Sequence, residues 1–327
     1  MRALTISHPG GPEVLELRTV ADPVIGPDEV LVRVRASALN RADLLQRRGL
    51  YPAPPGAPAD IPGLEFAGEV AACGELVTTL QPGDRVMGIV GGGGQAEKLK
   101  LHERLCLLIP PGMSFEDAAA VPEAFLTAYD ALFLRGGLKP GEAVLLHAAG
   151  SGVGTAAAAI ATVAGARVVA LSRSADKRRR LEAMGVHRVL DPAAPHLAES
   201  IRMATGGEGV ACVIDFLGAA SWELNVEVLA LRGRLVLVGT MSGSKVEADL
   251  SALMRKRLTV VGTVLRSRPV EEKIDLVQSF AHTMLPLLAA GRLKPVVDRV
   301  VPLEDAASVH AAMERNENFG KIVLRIP

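Results

Sequence analysis

The stretch AVLLHAAGSGVGTAAAAIATV, residues 143–163, decides the fold of this chain. An apolar run ends at His147, three glycines follow, and an alanine-rich segment without proline continues beyond Gly154. This order predicts a buried strand, a tight turn and a helix. The spacing Gly152-x-Gly154-x-x-Ala157 is typical of a dinucleotide-binding turn, where the backbone approaches a pyrophosphate at the N-terminus of a helix. A purely structural turn between strand and helix is the alternative.

The residues after the turn indicate which phosphate-containing cofactor the turn would bind. The Gly-Lys-Ser/Thr sequence of an ATP-binding P-loop is missing, which excludes that kind of site. NAD-binding proteins place a carboxylate on the ribose hydroxyls at the end of the next strand. This chain has Arg173 and Ser174 there, with Lys177 one helical turn later. These groups favour the 2′-phosphate of NADPH, and a solvated surface arginine is the alternative for Arg173.

The length of 327 residues exceeds what a single hydrophobic core usually serves, so we expect two domains. Before residue 120, short alternating segments such as EVLVRVRASAL (29–39) predict a β domain with loops. Beyond residue 143, apolar strands alternate with helices, which implies βαβ units and a parallel sheet buried on both faces. Later strands are predicted at 188–190, 211–216, 234–239 and 258–265, and a helix is predicted at 270–290.

Composition excludes several classes of partner. The 36 basic and 36 acidic residues balance without long like-charge runs, which argues against specific nucleic-acid binding. Three isolated cysteines without C-x-x-C spacing favour a reducing compartment. With neither a secretory leader pattern nor an apolar run long enough for a bilayer, we expect a cytoplasmic protein without membrane contact.

Six segments of the chain carry a family resemblance. They are ALNRADLLQRRGLYPAPPGAPADIPGLEFAGEV (38–70), PGDRVMG (82–88), GGGGQAE (91–97), AAAVPEAFLTAYDAL (118–132), LKPGEAVLLHAAGSGVGTAA (138–157) and NFGKIVL (318–324). Through them the chain resembles the zinc-free quinone oxidoreductase branch of the medium-chain dehydrogenase/reductase superfamily, the group that includes zeta-crystallin. The resemblance runs over essentially the whole chain.

The resemblance implies an α/β protein with two domains. A GroES-like β domain would consist of residues 1–120 and 287–327, and a Rossmann domain with a doubly wound parallel sheet would consist of 121–286. NADPH is the implied cofactor, although a tyrosine that many relatives pack against its 2′-phosphate is Pro192 here. A homodimer joined along the predicted strand 258–265 is also implied, since that long apolar edge would otherwise promote aggregation.

The chain departs from the metal-dependent relatives at their zinc site. Where zinc alcohol dehydrogenases have a cysteine ligand and a Gly-His-Glu segment, this chain has Asn40 and Gly63-Leu64-Glu65. The four-cysteine lobe of those enzymes is missing, and the seven histidines are scattered. We therefore expect no catalytic metal, and polarisation of a substrate carbonyl by hydrogen bonds instead.

Asn40 and Tyr51, which flank the proline-rich loop YPAPPGAPADIPG (51–63), are the catalytic candidates. In the family these positions face the nicotinamide and the substrate, and the reduced nicotinamide itself is the hydride source. We expect Tyr51 to donate a hydrogen bond or proton to the reduced oxygen, and a tyrosine packed on prolines is the alternative. For Asn40 a cofactor contact and a structural hydrogen bond to the neighbouring loop are both open.

The remaining cofactor-binding candidates come from the glycine turn, the ends of parallel strands and the family resemblance. For Thr127, Gly218 and Lys321 an ordinary structural role in a helix, a turn or a strand end is the alternative. The expected cofactor-binding residues are Asn40, Tyr51, Thr127, Ser151, Gly152, Val153, Gly154, Arg173, Ser174, Lys177, Gly218, Gly239, Thr240, Leu265, Arg266, Ser267 and Lys321.

These observations together predict an NADPH-dependent reductase of quinones or other conjugated carbonyl compounds that works without a metal. A 2-enal or enoyl-thioester reductase is an alternative, because it would have the same fold and cofactor and a different pocket. A protein that binds NADPH without catalysis, as a sensor or a structural protein, is the alternative outside the enzymes.

Overall fold

The computed structural model describes residues 1–327 as two compact units. The first unit comprises Met1–Leu126 and Leu265–Pro327, and the second comprises Thr127–Val264. The two ends of the chain therefore form one unit together. These divisions differ from the domain boundaries expected at 120 and 287, because the helix that follows Leu265 packs within the first unit. The domain boundaries themselves stay a prediction.

Strands and helices occur throughout the chain. The strands are β1 (Arg2–Ile6), β2 (Leu15–Thr19), β3 (Glu29–Ala38), β4 (Glu65–Cys73), β5 (Arg85–Ile89), β6 (Lys98–His102), β7 (Cys106–Leu108), β8 (Ala143–Leu146), β9 (Arg167–Leu171), β10 (Arg188–Leu190), β11 (Val210–Asp215), β12 (Leu229–Leu237), β13 (Thr259–Gly262), β14 (Val297–Pro302) and β15 (Lys321–Arg325). The α-helices are α1 (Arg41–Arg47), α2 (Phe115–Ala119), α3 (Pro122–Tyr129), α4 (Gly152–Val163), α5 (Ala175–Ala183), α6 (Leu197–Ala204), α7 (Trp222–Val228), α8 (Leu250–Lys256), α9 (Val270–Thr283), α10 (Leu285–Ala289) and α11 (Ala306–Glu314). None of these helices combines the length and the apolar character needed to cross a lipid bilayer.

The second unit is built on a parallel sheet with the strand order β10-β9-β8-β11-β12-β13. Every residue of β8 is buried, as expected for a strand that is covered on both faces. The order reverses between β8 and β11, and open parallel sheets bind ligands outside the carboxyl ends of their strands at such a point. The glycine turn follows β8 directly, so it lies at this position.

The first unit contains a two-stranded sheet, β1-β2, and a seven-stranded sheet with the order β14-β15-β3-β4-β5-β7, in which β6 also pairs with β3. Val30, Val32 and Val34 on β3 are fully buried. The alternation of apolar and polar residues in this segment therefore corresponds to a strand with one face in the core. The C-terminal strand β15 pairs antiparallel with β3, and Leu39 N donates to Ile322 O at 2.9 Å. This pairing brings Lys321 beside the segment that follows β3.

Two predicted strands end earlier than expected. The strand expected at 234–239 ends at Leu237. The N–H groups of Val238 and Gly239 then both bond to Asp215 O, at 2.8 and 3.3 Å, so the regular ladder with β11 stops there. The strand expected at 258–265 is only β13, Thr259–Gly262. Leu265, Arg266 and Ser267 therefore lie beyond the last strand, where Leu265 and Arg266 are buried and Ser267 is exposed.

The predicted helix 270–290 is two helices, α9 and α10. The break falls at Met284, and Pro286 in the first turn of α10 has no N–H to continue the earlier helix. The expected β domain also contains α1, which begins after Asn40 because the Asp43 carboxylate accepts a hydrogen bond from Asn40 N at 2.7 Å.

Candidate functional site

The glycine turn after β8 has the geometry that a phosphate site needs. Ser151 is the N-cap of α4, and its hydroxyl oxygen accepts a hydrogen bond from Gly154 N at 3.1 Å. The N–H groups of Gly152 and Val153 have no acceptor inside the helix and lie at its positive end. A Cβ on Gly154 would be 2.5 Å from Ala148 O, so only glycine allows this close contact. The turn therefore fits the pyrophosphate of a dinucleotide.

The residues expected at the 2′-phosphate form one short turn after β9. Arg173 is exposed, and Ser174 is the N-cap of α5, whose hydroxyl oxygen accepts from Lys177 N at 3.3 Å. The glycine turn is attached to the same strand, since Ala149 N donates to Leu171 O at 3.0 Å. The two predicted phosphate sites are thus neighbours on adjacent strands.

Arg178, which the sequence did not reveal as part of the site, holds the turn after β9 in place. Its Nη1 donates to the carbonyl oxygens of Ser172 and Arg173, both at 2.9 Å, and to Asp191 Oδ2 at 2.8 Å. The guanidinium therefore connects the ends of β9 and β10. In the sequence Arg178 belongs to a run of three arginines, which is the ordinary pattern of a solvated helix face.

A buried hydrogen-bond network fixes the loop after β11. Asp215 accepts hydrogen bonds from Gly218 N at 3.2 Å, Ser221 Oγ at 2.8 Å and Asn225 Nδ2 at 3.0 Å. Asn225 Oδ1 in turn accepts from His147 Nε2 at 2.7 Å, and burial lowers the pKa of this histidine. His147 is therefore a bonded core residue, and the only sequence signal for Asp215 is an acid that ends an apolar strand.

Gly218, Gly239 and Thr240 follow the neighbouring strands β11 and β12. Gly218 has a φ of +83°, and a Cβ there would lie 2.6 Å from Gly243 O, so this turn also requires glycine. Since the carboxyl ends of parallel strands meet at one edge of the sheet, these residues, the glycine turn and the turn after β9 share that edge. Thr127, on α3, is 9% exposed, and its contact with a cofactor stays a prediction.

In the first unit, Asn40 and Lys321 belong to one buried polar cluster. Lys321 Nζ donates to Glu65 Oε1 at 2.5 Å, to Asn40 Oδ1 at 2.7 Å and to Leu39 O at 3.0 Å. Asn40 Nδ2 donates to the same oxygen of Glu65 at 2.8 Å. Asn40 and Lys321 therefore form hydrogen bonds that stabilise the fold, as expected if their roles are structural. Their binding of a cofactor stays a prediction.

Asp43 connects α1 to the segment that replaces the Gly-His-Glu of zinc enzymes. Its Oδ1 accepts a hydrogen bond from Gly63 N at 3.0 Å. Burial raises the pKa of Asp43 to about 6, although the hydrogen bonds from the N–H groups of Asn40 and Gly63 lower it. Leu64, the next residue, is 1% exposed and packs in the core. No group of three or more His, Cys, Asp and Glu side chains in the structure has an arrangement that could hold a metal ion.

Arg266 holds the backbone at Tyr51 in place. Its guanidinium donates to Gly91 O at 2.8 Å, Tyr51 O at 3.0 Å and Gln46 Oε1 at 2.6 Å. The guanidinium carbon lies 5.0 Å from the centre of the Tyr51 ring, a cation–π contact. Burial, and then the charge of Glu123, raise the pKa of Tyr51, so the phenol keeps its proton at neutral pH.

A cavity of about 680 Å³ lies beside Arg266 in the first unit. This volume is typical of small-molecule sites, which occupy about 300–1,000 Å³. The residues of the proline-rich segment 54–58, of β6 and of α9 contribute to its walls. Glu123 and Lys273 also line it. Burial, and then the charge of Glu65, raise the pKa of Glu123 to about 8.

Two protein-family models match the chain. The alcohol dehydrogenase GroES-like domain matches residues 26–127, and the zinc-binding dehydrogenase model matches residues 152–280. Together with the six-stranded and seven-stranded sheets, these matches confirm the expected fold class, a GroES-like domain and a Rossmann-like domain with a parallel sheet.

Curated relatives match along nearly the whole chain. The human synaptic vesicle membrane protein VAT-1 homolog is 33% identical over 99% of this chain and 86% of its own length. The quinone oxidoreductase of Lama guanicoe is 32% identical over 99% of this chain and 97% of its own. The quinone oxidoreductase of Pseudomonas aeruginosa is 34% identical over 96% of both chains.

Solved structures with the same fold include proteins of different activities. An NAD-dependent alcohol dehydrogenase is 34% identical with a TM-score of 0.88 over 100% of both chains. A mycobacterial protein solved in complex with NADPH is 28% identical with a TM-score of 0.88 over 100% of both chains. The CurK enoyl reductase is 28% identical with a TM-score of 0.87, over 100% of this chain and 99% of its own.

Proposed function

Because the chain belongs to the quinone oxidoreductase family of the medium-chain dehydrogenase/reductase superfamily, we propose that it reduces quinones or related conjugated carbonyl compounds with NADPH and without a metal. An oxidoreductase acting on a small molecule follows from family membership alone. Beyond family membership, we propose NADPH as the cofactor, a quinone or related carbonyl compound as the acceptor, and a reaction without a metal.

The turn after β9 is the observation that carries the choice of NADPH. Arg173 and Ser174 stand where a carboxylate would otherwise bind the free ribose hydroxyls, and Lys177 follows within one helical turn. Charge-assisted hydrogen bonds to a phosphate are among the stronger ones that a protein surface offers. The N–H groups of Gly152 and Val153 would bind the pyrophosphate, and bound NADPH would supply the hydride.

In this proposal the side chains of the first unit orient the acceptor and polarise its carbonyl. Tyr51 keeps its proton, because burial raises its pKa, and it donates a hydrogen bond to the oxygen on which negative charge develops. Arg266 fixes the backbone that carries this tyrosine. The metal-free character is supported by Asn40 and Leu64, since neither side chain can replace the metal ligands of zinc enzymes.

A panel of electron acceptors tests the proposed function. Purified protein is mixed with NADPH or NADH and with quinones, 2-enals and enoyl thioesters, and consumption of the cofactor is followed at 340 nm. We expect turnover with quinones and NADPH. Turnover confined to enals or thioesters would instead support an enoyl reductase, a function that the similarity to CurK favours. Cofactor binding without turnover on any acceptor would support a non-catalytic NADPH-binding protein.

We also propose a homodimer and a cytoplasmic location. The edge strand β13 leaves the sheet of the second unit open on one side, and Val260 on it is 39% exposed. Pairing with the same strand of a second copy would cover this edge. Cys73, Cys106 and Cys212 are all free, which suits a reducing compartment. Sedimentation equilibrium of the purified protein tests the dimer, and a monomer at micromolar concentration would contradict it.

A further inference from the structure

Two lysines that line the cavity in the first unit are paired with carboxylates. Lys100 Nζ lies 2.8 Å from Glu29 Oε2, and Lys98 forms an ion pair with Asp22. These lysines therefore attract no further anion strongly, because each already has a carboxylate partner.

Arg266 and Lys273 also line the cavity, and neither forms an ion pair with a carboxylate. Arg266 is 5% exposed, and all three of its hydrogen bonds go to neutral oxygens, on Gly91, Tyr51 and Gln46. Lys273, on α9, lines the cavity, and its ammonium group forms neither a hydrogen bond nor an ion pair, while burial lowers its pKa. A cationic side chain that is partly withdrawn from water and has no anionic partner is costly unless a ligand compensates it.

Glu123, the carboxyl group whose charge acts on Lys273, does not provide this compensation at neutral pH. Glu123 lines the same cavity, and its pKa is raised to about 8, so the carboxyl group is mostly protonated at pH 7. Its backbone N–H donates to Glu65 Oε2 at 2.8 Å, which places it beside a carboxylate that is already paired with Lys321. The charged and titratable groups around Glu123 are Glu65, Asp43, Lys321, Arg266, Tyr51 and Lys273.

The rest of the cavity near these groups is apolar. Pro54, Pro58, Ile61, Ile89 and Leu265 line it, and its volume of about 680 Å³ exceeds that of a two-ring aromatic compound. An apolar wall beside two cations that form no ion pair suits a flat hydrophobic molecule that carries a negative charge.

We propose that this cavity binds the electron acceptor, and that Lys273 selects acceptors in which an anionic group is attached to a planar apolar body. The inference deepens the proposed function and rests on it. The anionic group accepts a hydrogen bond from the Lys273 ammonium group, and the neutral Glu123 carboxyl group can donate a second one. The inference concerns recognition only, so the hydride transfer of the proposed function is unchanged.

The test compares 1,4-naphthoquinone with 1,4-naphthoquinone-2-sulfonate as acceptors for NADPH oxidation at pH 7. The measured quantity is the ratio of kcat/KM for the sulfonate to kcat/KM for the neutral quinone, in wild type and Lys273→Met. We expect the ratio to fall about tenfold or more in Lys273→Met, the effect of losing one hydrogen bond to a charged group. Lys273→Arg is expected to restore most of the ratio. An unchanged ratio in Lys273→Met would overturn the proposal.

Lys100→Met is the matched control, because Lys100 lines the same cavity and is paired with Glu29. Its ratio is expected to stay within about twofold of wild type, as for other exposed ion pairs. A fall equal to that of Lys273→Met would show a general effect of cavity charge and would overturn the role of Lys273. An equal loss of NADPH affinity in Lys273→Met would also overturn it, by assigning the lysine to the cofactor.

Raising the pH provides a second readout. Between pH 7 and pH 9 the Glu123 carboxyl group ionises and compensates Lys273, so the wild-type ratio is expected to fall. Glu123→Gln cannot ionise, and its ratio is expected to stay nearly constant over the same range. A parallel decline in both proteins would overturn the arrangement of Glu123 beside Lys273.

Direct binding of naphthalene-2-sulfonate, measured by calorimetry, separates this inference from the proposed function. If no quinone is turned over but the sulfonate binds in a manner that depends on Lys273, the proposed activity fails and the site is supported. If both quinones are reduced equally well by wild type and by Lys273→Met, the activity is supported and the selection by Lys273 is wrong.

Discussion

Lys321 and Glu65 form a buried ion pair, with 2.5 Å between Nζ and Oε1 and side chains that are 5% and 0% exposed. The pair connects β15, the last strand, to β4. The Asn40 amide bonds to both partners, because its Nδ2 donates to Glu65 and its Oδ1 accepts from Lys321. A buried pair of this kind contributes little net stability compared with apolar residues, but removal of one partner leaves the other charge without compensation. Loss of either partner is therefore expected to destabilise the contact between β15 and β4 in the first unit.

Lys321→Met is expected to lower the free energy of unfolding by about 3–5 kcal/mol, because Glu65 is left buried without its cationic partner. The double variant Lys321→Met with Glu65→Gln is expected to recover part of this loss. Urea unfolding monitored by circular dichroism measures both. Lys98→Met, which breaks a partly exposed pair with Asp22, is the control and should cost about 1 kcal/mol or less. Equal losses in Lys98→Met and Lys321→Met would contradict the special role of the buried pair.

Tyr51→Phe is expected to lower kcat for quinone reduction about tenfold or more, because one oriented hydrogen bond at the developing charge contributes about 1–3 kcal/mol. The Kd for NADPH should stay nearly unchanged, which fluorescence titration measures in the same preparation. An unaltered kcat would assign Tyr51 to packing beneath Arg266.

Replacement of Arg173 and Lys177 together by alanine is expected to weaken NADPH binding by about 2–4 kcal/mol and to leave NADH binding nearly unchanged. The reason is that only NADPH has a 2′-phosphate for these cations. Arg179→Ala is the matched control, since Arg179 lies on the same helix, is 71% exposed and pairs with Asp176. An equal loss of affinity for NADPH and NADH in the double variant, or equal binding of both cofactors by wild type, would show that these residues do not bind the 2′-phosphate.

Glu123 is expected to make the free energy of unfolding fall as the pH rises. Its folded-state pKa of about 8 lies above the ordinary value of 4.5, so between these values the folded state binds more protons than the unfolded state. The contribution is complete below pH 4.5 and is lost as the pH passes about 8. Compared with Glu123→Gln, wild type should lose roughly 2–4 kcal/mol between pH 5 and pH 8. Glu271→Gln, on the exposed side of α9, should behave like wild type, and identical pH profiles for all three proteins would refute the prediction.

Activity is expected to survive exhaustive dialysis against EDTA and 1,10-phenanthroline, because Asn40 and Leu64 stand where zinc enzymes have ligands. The check is kcat/KM before and after dialysis, together with the metal content of the active protein. A stoichiometric requirement for zinc would contradict the proposed metal-free reaction.

Much of the second unit could be predicted because its signals are local. A strand that is buried on both faces, a glycine turn and an N-capping serine each depend on residues that are neighbours in the chain. The ends of β12 and β13 could not be predicted, because they depend on contacts with other segments, such as the hydrogen bonds of both Val238 N and Gly239 N to Asp215 O. The roles of Arg178 and Asp215 could not be predicted from the sequence. Runs of basic residues and acidic residues at strand ends are common in proteins at places that bind no ligand.

The sequence by itself determined the two-domain α/β class, the family, the turn after β8 and the composition of the turn after β9, since each can be read from residues that are adjacent or regularly spaced. Only the tertiary structure decided which polar residues are compensated. Lys321 reaches Glu65 across 256 positions of the chain, and Arg266 reaches Gln46 across 220. Such pairings depend on strand order and burial, as does the pKa of Glu123, because an ionisable group responds to the charges that surround it in space and to its distance from water.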